Sequence, residues 1–156
     1  MIVDIENFKE IREKIKNENK KLVFTNGCFD ILHRGHVTYL NEAKSLGDYL
    51  IVAVNSDDSV KRLKGADRPI NNEQDRAFIL DNLKCVDFAM IFNEDTPYDT
   101  IKEIIPDFLV KGGDWKKEDI IGYDIVEGNG GKVLSLNFVN DYSTTSVIEK
   151  INNSPN

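Results

Sequence analysis

The sequence contains little cysteine and no long apolar run. Its two cysteines, Cys28 and Cys85, are too few for a disulfide framework and are typical of a reducing compartment. Neither has a cysteine or histidine partner at the spacing of a metal site. No apolar run approaches the roughly 18 residues that cross a bilayer, and residues 1–6 lack the basic and apolar regions of a signal peptide. We therefore expect a cytoplasmic protein without a membrane partner.

Basic residues are in the minority. The 20 lysines and arginines stand against 27 acidic residues, and the net charge of −7 argues against a nucleic-acid partner. The few arginines are concentrated, however, because most of them fall in one stretch together with two lysines. This stretch contains Arg34, Lys61, Arg62, Lys64, Arg68 and Arg76. It predicts a small polyanionic ligand, with a solvated helix face as the alternative, above all for Lys61.

Apolar residues alternate between the patterns of strands and helices. Short aliphatic runs predict strands of a buried parallel sheet at residues 21–25, 49–55, 88–92, 108–111 and 133–137. Apolar residues at intervals of three and four predict helices at residues 7–17, 37–46, 59–63, 73–83, 98–105 and 143–151.

The length of 156 residues fits one domain, which we assign to residues 1–151, followed by a disordered tail over 152–156. The alternation of strands and helices predicts the α/β class. Specifically, we expect a Rossmann-like, doubly wound three-layer α/β/α domain with a five-stranded, mainly parallel sheet.

Both histidines of the chain lie in one run, His33-Arg34-Gly35-His36. The run follows the first predicted strand and a glycine-bearing turn, and it opens the next helix. The free N–H groups and positive dipole of a helix N-terminus attract anions, and imidazoles at i and i+3 add donors there. The run therefore predicts a phosphate site, with an exposed first turn or a fortuitous metal pair as alternatives.

Polar motifs also follow the other strands. Ligands of doubly wound sheets bind at the carboxyl ends of the strands, near the point where the strand order reverses. Asn55-Ser56-Asp57 ends the second strand, Lys111-Gly112-Gly113-Asp114 ends the fourth, and Ser143-Thr144-Thr145 follows the fifth. Their convergence with the histidine run on one edge predicts an active site there.

The stretch from Phe24 to His36, FTNGCFDILHRGH, resembles the signature of the cytidylyltransferase-like nucleotidyltransferases, whose hallmark is a His-x-Gly-His tetrad. Taken with Arg62-Leu63-Lys64-Gly65, Arg68-Pro69 and the motifs after the strands, it resembles the heptose 1-phosphate adenylyltransferase branch. That branch occurs alone or as the C-terminal half of a bifunctional heptose kinase. The resemblance covers residues 21–151.

This resemblance implies transfer of AMP from ATP to D-glycero-β-D-manno-heptose 1-phosphate, which releases pyrophosphate and forms an ADP-sugar for cell-envelope polysaccharide. It also implies a Mg²⁺ ion held mainly by the ATP phosphates and water, no metal site of the protein's own, and a homodimer. Two alternatives stay open. One is a glycerol-3-phosphate cytidylyltransferase-like enzyme, and the other is a nucleotide-binding regulatory module without turnover.

The resemblance further implies roles for individual residues. The expected catalytic residues are His33, His36 and Lys64, with Arg62 assisting Lys64. The expected nucleotide-binding residues are Thr25, Asn26, Gly27, Phe29, Gly35, Arg76, Lys111, Gly112, Gly113, Asp114, Ser143, Thr144 and Thr145. The expected acceptor-binding residues are Asp30, Asn55, Asp57, Arg62 and Arg68.

Two further positions carry open alternatives. Trp115 is expected either to wall the base pocket or to pack in the interior. Ile148 stands where some members of the superfamily carry an arginine, and Arg76 or Lys150 is expected to compensate.

Overall fold

The structure is a computed structural model that describes residues 1–137 and 143–153. Its strands are β1 (Leu22–Gly27), β2 (Tyr49–Asn55), β3 (Phe88–Phe92), β4 (Phe108–Gly112) and β5 (Lys132–Leu136). Its α-helices are α1 (Ile5–Asn17), α2 (Arg34–Lys44), α3 (Asp57–Lys64), α4 (Glu73–Asp81), α5 (Tyr98–Ile104), α6 (Tyr123–Gly128) and α7 (Thr144–Asn152). A short 3₁₀-helix spans Lys117–Asp119. Within the described ranges, no helix is long and apolar enough to cross a membrane.

The strands form one sheet in the order β3-β2-β1-β4-β5, and every neighbouring pair is parallel. Alternate strand residues enter two separate apolar cores, as the two-residue period of a strand requires. Phe24 and Ile51 pack with residues of α1, α5 and α6, whereas Val23 and Val52 pack with residues of α2 and α4. Helices therefore cover both faces, and the predicted α/β class and parallel sheet are confirmed.

The segment between β4 and β5 contains two elements that the sequence pattern did not predict. The 3₁₀-helix has three residues and α6 has six, and both are too short to show a helical period. Helix α6 follows Gly122, whose φ of 91° lies in the left-handed region. Its one fully buried residue, Val126, joins the core on the α1 and α5 face.

The C-terminal boundary differs slightly from the prediction. Helix α7 ends at Asn152, the residue with which the predicted disordered tail begins. Residues 154–156 of that tail lie outside the described residues.

The strand order reverses between β1 and β4, and these two strands are joined only over a short length. The β1–β2 pairing runs without interruption from Leu22↔Tyr49 to Gly27↔Val54. By contrast, β1 pairs with β4 only at Val23↔Phe108 and Phe24↔Leu109. The strands thus separate toward their carboxyl ends, at the position where doubly wound sheets bind ligands.

Candidate active site

Two adjoining recesses lie over the carboxyl ends of β1, β2 and β4. Their volumes are about 390 Å³ and about 180 Å³. We call the smaller one the histidine recess, because His36 lines it, and the larger one the tryptophan recess, because Trp115 lines it. The residues that line both are Asn26, Gly27, Cys28, Lys64 and Lys111. The cleft therefore has two compartments that share one polar wall.

About half of the predicted site residues line this cleft. Those that do are Asn26, Gly27, Phe29, Asp30, His36, Asn55, Lys64, Lys111, Gly112 and Thr144. The predicted residues that line neither recess are Thr25, His33, Gly35, Asp57, Arg62, Arg68, Arg76, Gly113, Asp114, Ser143 and Thr145. The second group includes His33, whose ring stacks on that of His36, and arginines that have partners elsewhere in the protein.

The histidine run opens α2, as its position after β1 predicted. His33 is the N-cap, and its side chain makes no capping hydrogen bond to the helix. The rings of His33 and His36 stack with centroids 3.8 Å apart and planes 21° apart. Phe29 meets His36 edge-on at 5.3 Å. The first turn of α2 therefore presents N–H groups that no N-cap side chain satisfies, next to a pair of stacked imidazoles.

The turn between β1 and α2 depends on a glycine. Phe29 has a φ of 46°, in the left-handed region, and this conformation places its ring over Gly27. A Cβ on Gly27 would lie 3.0 Å from that ring. A side chain at position 27 would therefore displace Phe29, whose ring contacts His36.

Both imidazoles are held in their neutral form. Burial, followed by the nearby charges of His33 and Lys64, lowers the pKa of His36 from 6.5 to about 4. Burial also lowers the pKa of His33. At neutral pH the pair therefore offers neutral N–H donors, while positive charge in the cleft comes from lysine.

Two lysines occupy the wall between the recesses. Lys64 is an exposed residue at the last position of α3, and Gly65 beyond it has a φ of 103°. Lys111 lies near the end of β4, where burial, together with the charge of Lys64, lowers its pKa. Cys28, which lies on the same wall, acts to raise the pKa of Lys111. A ligand anion at this wall would relieve the repulsion between the lysines.

Asp30 is almost fully buried and connects two loops. Its carboxylate accepts hydrogen bonds from Arg68 Nε at 2.6 Å, from the Ile70 N–H at 2.8 Å and from the Asn71 N–H at 2.9 Å. Asn71 Nδ2 also donates to the Asp30 carbonyl oxygen at 2.6 Å. Burial acts to raise the pKa of Asp30, but these donors hold it below its ordinary value. The carboxylate thus fixes the 68–71 loop to the β1–α2 turn.

Three of the four arginines of the basic stretch, Arg62, Arg68 and Arg76, have partners within the protein. Arg76 is 1% exposed, and its guanidinium donates to the carbonyl oxygens of Asn71 and Cys28 and to Asp57, at 2.9, 2.6 and 2.8 Å. Arg62 forms an exposed ion pair with Asp95 at 2.6 Å. These contacts stabilise the loops at the rim. The ligand roles of Arg62, Arg68 and Arg76 stay predictions.

The N-terminus of α7 lies beside the β1–α2 turn. Ser143 caps the helix and forms a capping box with Ser146. Thr144 lines the histidine recess, and its hydroxyl donates to the Ile31 carbonyl oxygen at 3.4 Å. Two helix N-termini, those of α2 and α7, therefore meet at one recess. Lys150, farther along α7, does not line it.

Trp115 lies in the tryptophan recess, apart from His36. Its indole N–H donates to the Gly112 carbonyl oxygen at 3.1 Å, and half of the residue remains exposed. Leu63, Pro97 and Ile121 line the same recess. The indole is therefore not packed in the interior, and it does not line the histidine recess.

Several lining residues were not among those predicted from the sequence. They are Cys28, Tyr39, Leu63, Asp95, Thr96, Pro97, Asp119, Ile120 and Ile121. Residues 95–97 could have been predicted from the sequence as part of the site. Their loop follows β3, and every strand of a parallel sheet ends at the same edge. For Tyr39 no signal exists in the sequence pattern, since it occupies an ordinary core position of α2.

The described part of the chain contains no group of three or more His, Cys, Asp or Glu side chains able to hold a metal ion. Asp30 and Asp57 already accept from Arg68 and Arg76. The residues at this edge therefore fit a ligand bound by hydrogen-bond donors.

Residues 24–150 match the family described as Cytidylyltransferase-like. The chain belongs to this family of nucleotidyltransferases, which confirms the resemblance based on the tetrad.

Among curated proteins, the chain is similar to the bifunctional protein HldE of a Nitratiruptor species, at 53% identity over 96% of this chain and 32% of that protein. It is also similar to the bifunctional protein HldE of Haemophilus ducreyi, at 57% identity over the same shares. The chain thus spans about a third of the length of these relatives.

Solved structures agree with this assignment. The lipopolysaccharide core biosynthesis protein from Thermoplasma volcanium is 35% identical, with a TM-score of 0.63 over 80% of this chain and 99% of that one. Pantoate-beta-alanine ligase from Francisella tularensis has a TM-score of 0.61 at 16% identity, over 95% of this chain and 75% of that one. The second likeness concerns the fold alone.

The pKa of His36 gives a first prediction. In an NMR titration of the two imidazoles, we expect His36 to titrate near pH 4 in the ligand-free protein. Lys64→Met should raise this pKa, because it removes a nearby positive charge. Lys61→Met is the matched control, since Lys61 lies on the same helix but pairs with Asp58 outside the cleft. A His36 pKa of about 6 or above would contradict the prediction.

The same shift makes stability depend on pH. An unfolded histidine titrates near 6.5, so between pH 6.5 and about 4 the unfolded state binds more protons than the native state. The free energy of unfolding should therefore fall as the pH is lowered through this range. His36→Gln should flatten this part of the curve, measured by urea unfolding at each pH.

A second prediction concerns Asp30. Asp30→Asn should lower the free energy of unfolding by about 3 kcal/mol, because an amide cannot accept from both Arg68 and the loop N–H groups. Asp58→Asn, at an exposed pair with Lys61, should cost about 0.5 kcal/mol or less. The wild-type carboxylate contributes its stability above its unfolded pKa and loses it as the pH falls through the lowered native pKa. Equal losses in the two variants would show that Asp30 does not hold the loop.

Proposed function

We propose that this chain transfers AMP from ATP to D-glycero-β-D-manno-heptose 1-phosphate and releases pyrophosphate. The observation that carries the proposal is the two-compartment cleft, in which Lys64 and Lys111 stand between a recess suited to phosphates and a larger recess with an indole wall. The relatives named HldE, and the similar protein named for lipopolysaccharide core biosynthesis, support a sugar phosphate as the acceptor.

In this reaction an oxygen of the acceptor phosphate attacks the α-phosphorus of ATP, and the bond from that phosphorus to the pyrophosphate oxygen breaks. The attacking phosphate is already ionised near pH 7, so no strong general base is needed. Catalysis then consists of bringing two anions together and stabilising the charge that develops on the α-phosphate and the leaving group. A cleft of lysines, neutral imidazoles and helix N-termini supplies these interactions.

We assign the triphosphate to the histidine recess. His36 would donate to the oxygen between the α- and β-phosphates, with His33 stacked behind it. The N-termini of α2 and α7, with Ser143, Thr144 and Thr145, would hold the remaining phosphates. Gly112 and Gly113 would let the base approach the end of β4.

We assign the acceptor to the tryptophan recess, where the indole of Trp115 and the side chain of Asn55 would contact the sugar. Lys64 would contact the phosphates of both substrates, because it lines both recesses. Of the five residues predicted to bind the acceptor, Asn55 lines this recess, whereas Asp30 lines only the histidine recess.

The remaining assignments follow from the family. Mg²⁺ would enter as part of the nucleotide substrate, coordinated by phosphates and water. A homodimer and a cytoplasmic location stay predictions, which sedimentation and cell fractionation would test.

The function is tested by a pyrophosphate-release assay that combines ATP or CTP with heptose 1-phosphate or glycerol 3-phosphate. We expect turnover with ATP and heptose 1-phosphate. Preference for CTP and glycerol 3-phosphate would assign the chain to the cytidylyltransferase alternative. Nucleotide binding without pyrophosphate release from any pair would favour a regulatory module.

A third prediction separates catalysis from binding. His33→Ala and His36→Ala should lower kcat by roughly a hundredfold, equivalent to about 3 kcal/mol, with a much smaller effect on the KM for ATP. Lys64→Ala should behave similarly and also raise the KM for the acceptor. Thr145→Ala should be milder, because the N–H groups of α7 remain.

Lys61→Ala is the control for Lys64, since Lys61 shares its helix but lines neither recess. Thermal melts check that each variant folds. A His36→Ala enzyme with nearly normal kcat and only a raised KM for ATP would reduce the histidines to a binding role.

A further inference from the structure

One side chain spans the gap between β1 and β4. Tyr39, on α2, is 5% exposed, and its hydroxyl lies 2.6 Å from Thr25 Oγ1 and donates to the Val110 carbonyl oxygen at 3.1 Å. Thr25 and Val110 directly follow the last hydrogen-bonded pair of the two strands, Phe24↔Leu109. The phenol hydroxyl therefore stands where the next bonds of the ladder would form.

The protons in this arrangement can be assigned. Tyrosine has one hydroxyl proton, so its donation to Val110 leaves the Thr25 hydroxyl as the donor to the phenol oxygen. Burial raises the pKa of Tyr39, against the effect of hydrogen bonds from Thr25 and the Gly112 backbone. The phenol therefore keeps its proton at neutral pH, and its bond to β4 is preserved.

Tyr39 also has a fixed relation to the histidine recess. Tyr39 lies three residues after His36 on α2, and both residues line the histidine recess. On the strands, Asn26 follows Thr25, and Lys111 follows Val110, and these two residues line the recess as well. One hydroxyl thus connects the helix that carries the histidines with both strand ends that carry the facing groups.

We propose that Tyr39 is a positioning residue, whose hydroxyl holds β1 and β4 apart at their carboxyl ends and fixes His36 relative to Lys111. Thr25, expected to bind nucleotide, acts through this tyrosine. The kinetic part of the inference rests on the proposed function. A phenylalanine at position 39 would fill nearly the same volume but leave the buried Thr25 hydroxyl and Val110 carbonyl without this partner, which favours closure of the strands or movement of α2.

The test is Tyr39→Phe. We expect kcat to fall by about tenfold to a hundredfold, since small displacements of reacting groups have effects of this size, while the KM for the acceptor stays within about twofold. The pKa of His36, measured by NMR without ligand, should rise from its wild-type value toward 6.5 as its packing loosens. A residue that only stabilised the fold would change the melting temperature and neither of these.

Two further variants complete the design. Thr25→Val removes only the donor to the phenol, so its loss of kcat should be smaller, and the double variant should be no worse than Tyr39→Phe alone. Tyr98→Phe is the matched control, because it removes an exposed tyrosine hydroxyl that donates to Asp124 at 2.8 Å. It should leave kcat and the His36 pKa unchanged.

The outcomes are distinct. A folded Tyr39→Phe protein with wild-type kcat and wild-type His36 pKa overturns the proposal. If Tyr39→Phe does not fold, Thr25→Val carries the same test, and wild-type values in both measurements overturn it. If the wild-type protein transfers no nucleotide, the proposed function fails, and the His36 pKa of the variants still decides the role of Tyr39.

Discussion

The separation of β1 from β4 is the constraint on which the whole cleft depends. Because the sheet is parallel, the carboxyl ends of its strands and the loops after them meet at one edge. Helix α2, which follows β1, packs on one face of the sheet, whereas α6, which follows β4, packs on the other. The two connections therefore diverge, and neither of these two helices closes the gap between the strands. What binds there is decided by the side chains and N–H groups around it.

The electrostatics of the cleft follow from the close approach of the donors that surround this gap. An acidic chain that binds a polyanion needs attraction, yet closely packed cations repel one another before the ligand arrives. Burial is the main cause of the lowered pKa of Lys111, and the charge of Lys64 adds to it. Neutral imidazoles and the N-termini of α2 and α7 add donors without adding full charges. Few cations are therefore needed in the cleft, and Arg62, Arg68 and Arg76 instead pair with acceptors of the protein itself.

The fold was largely predictable from the sequence, and the site was so only in part. Strands such as β2 and β3 were predicted with their observed bounds, because short aliphatic runs between helices have few other interpretations. The partners of the arginines were not predictable. Arg68 pairs with Asp30 across 38 positions, and Arg76 bonds to the Cys28 carbonyl across 48. Composition identifies a donor, but only the folded chain determines which acceptor it reaches.

The stacked histidines have a consequence for proton transfer. With ring centroids 3.8 Å apart, a proton on one imidazole strongly disfavours a proton on the other. Both rings are neutral near pH 7, and when acid protonates one of them, the charge disfavours protonation of the other. The two histidines of the chain therefore respond to acid as a coupled pair rather than as two independent groups.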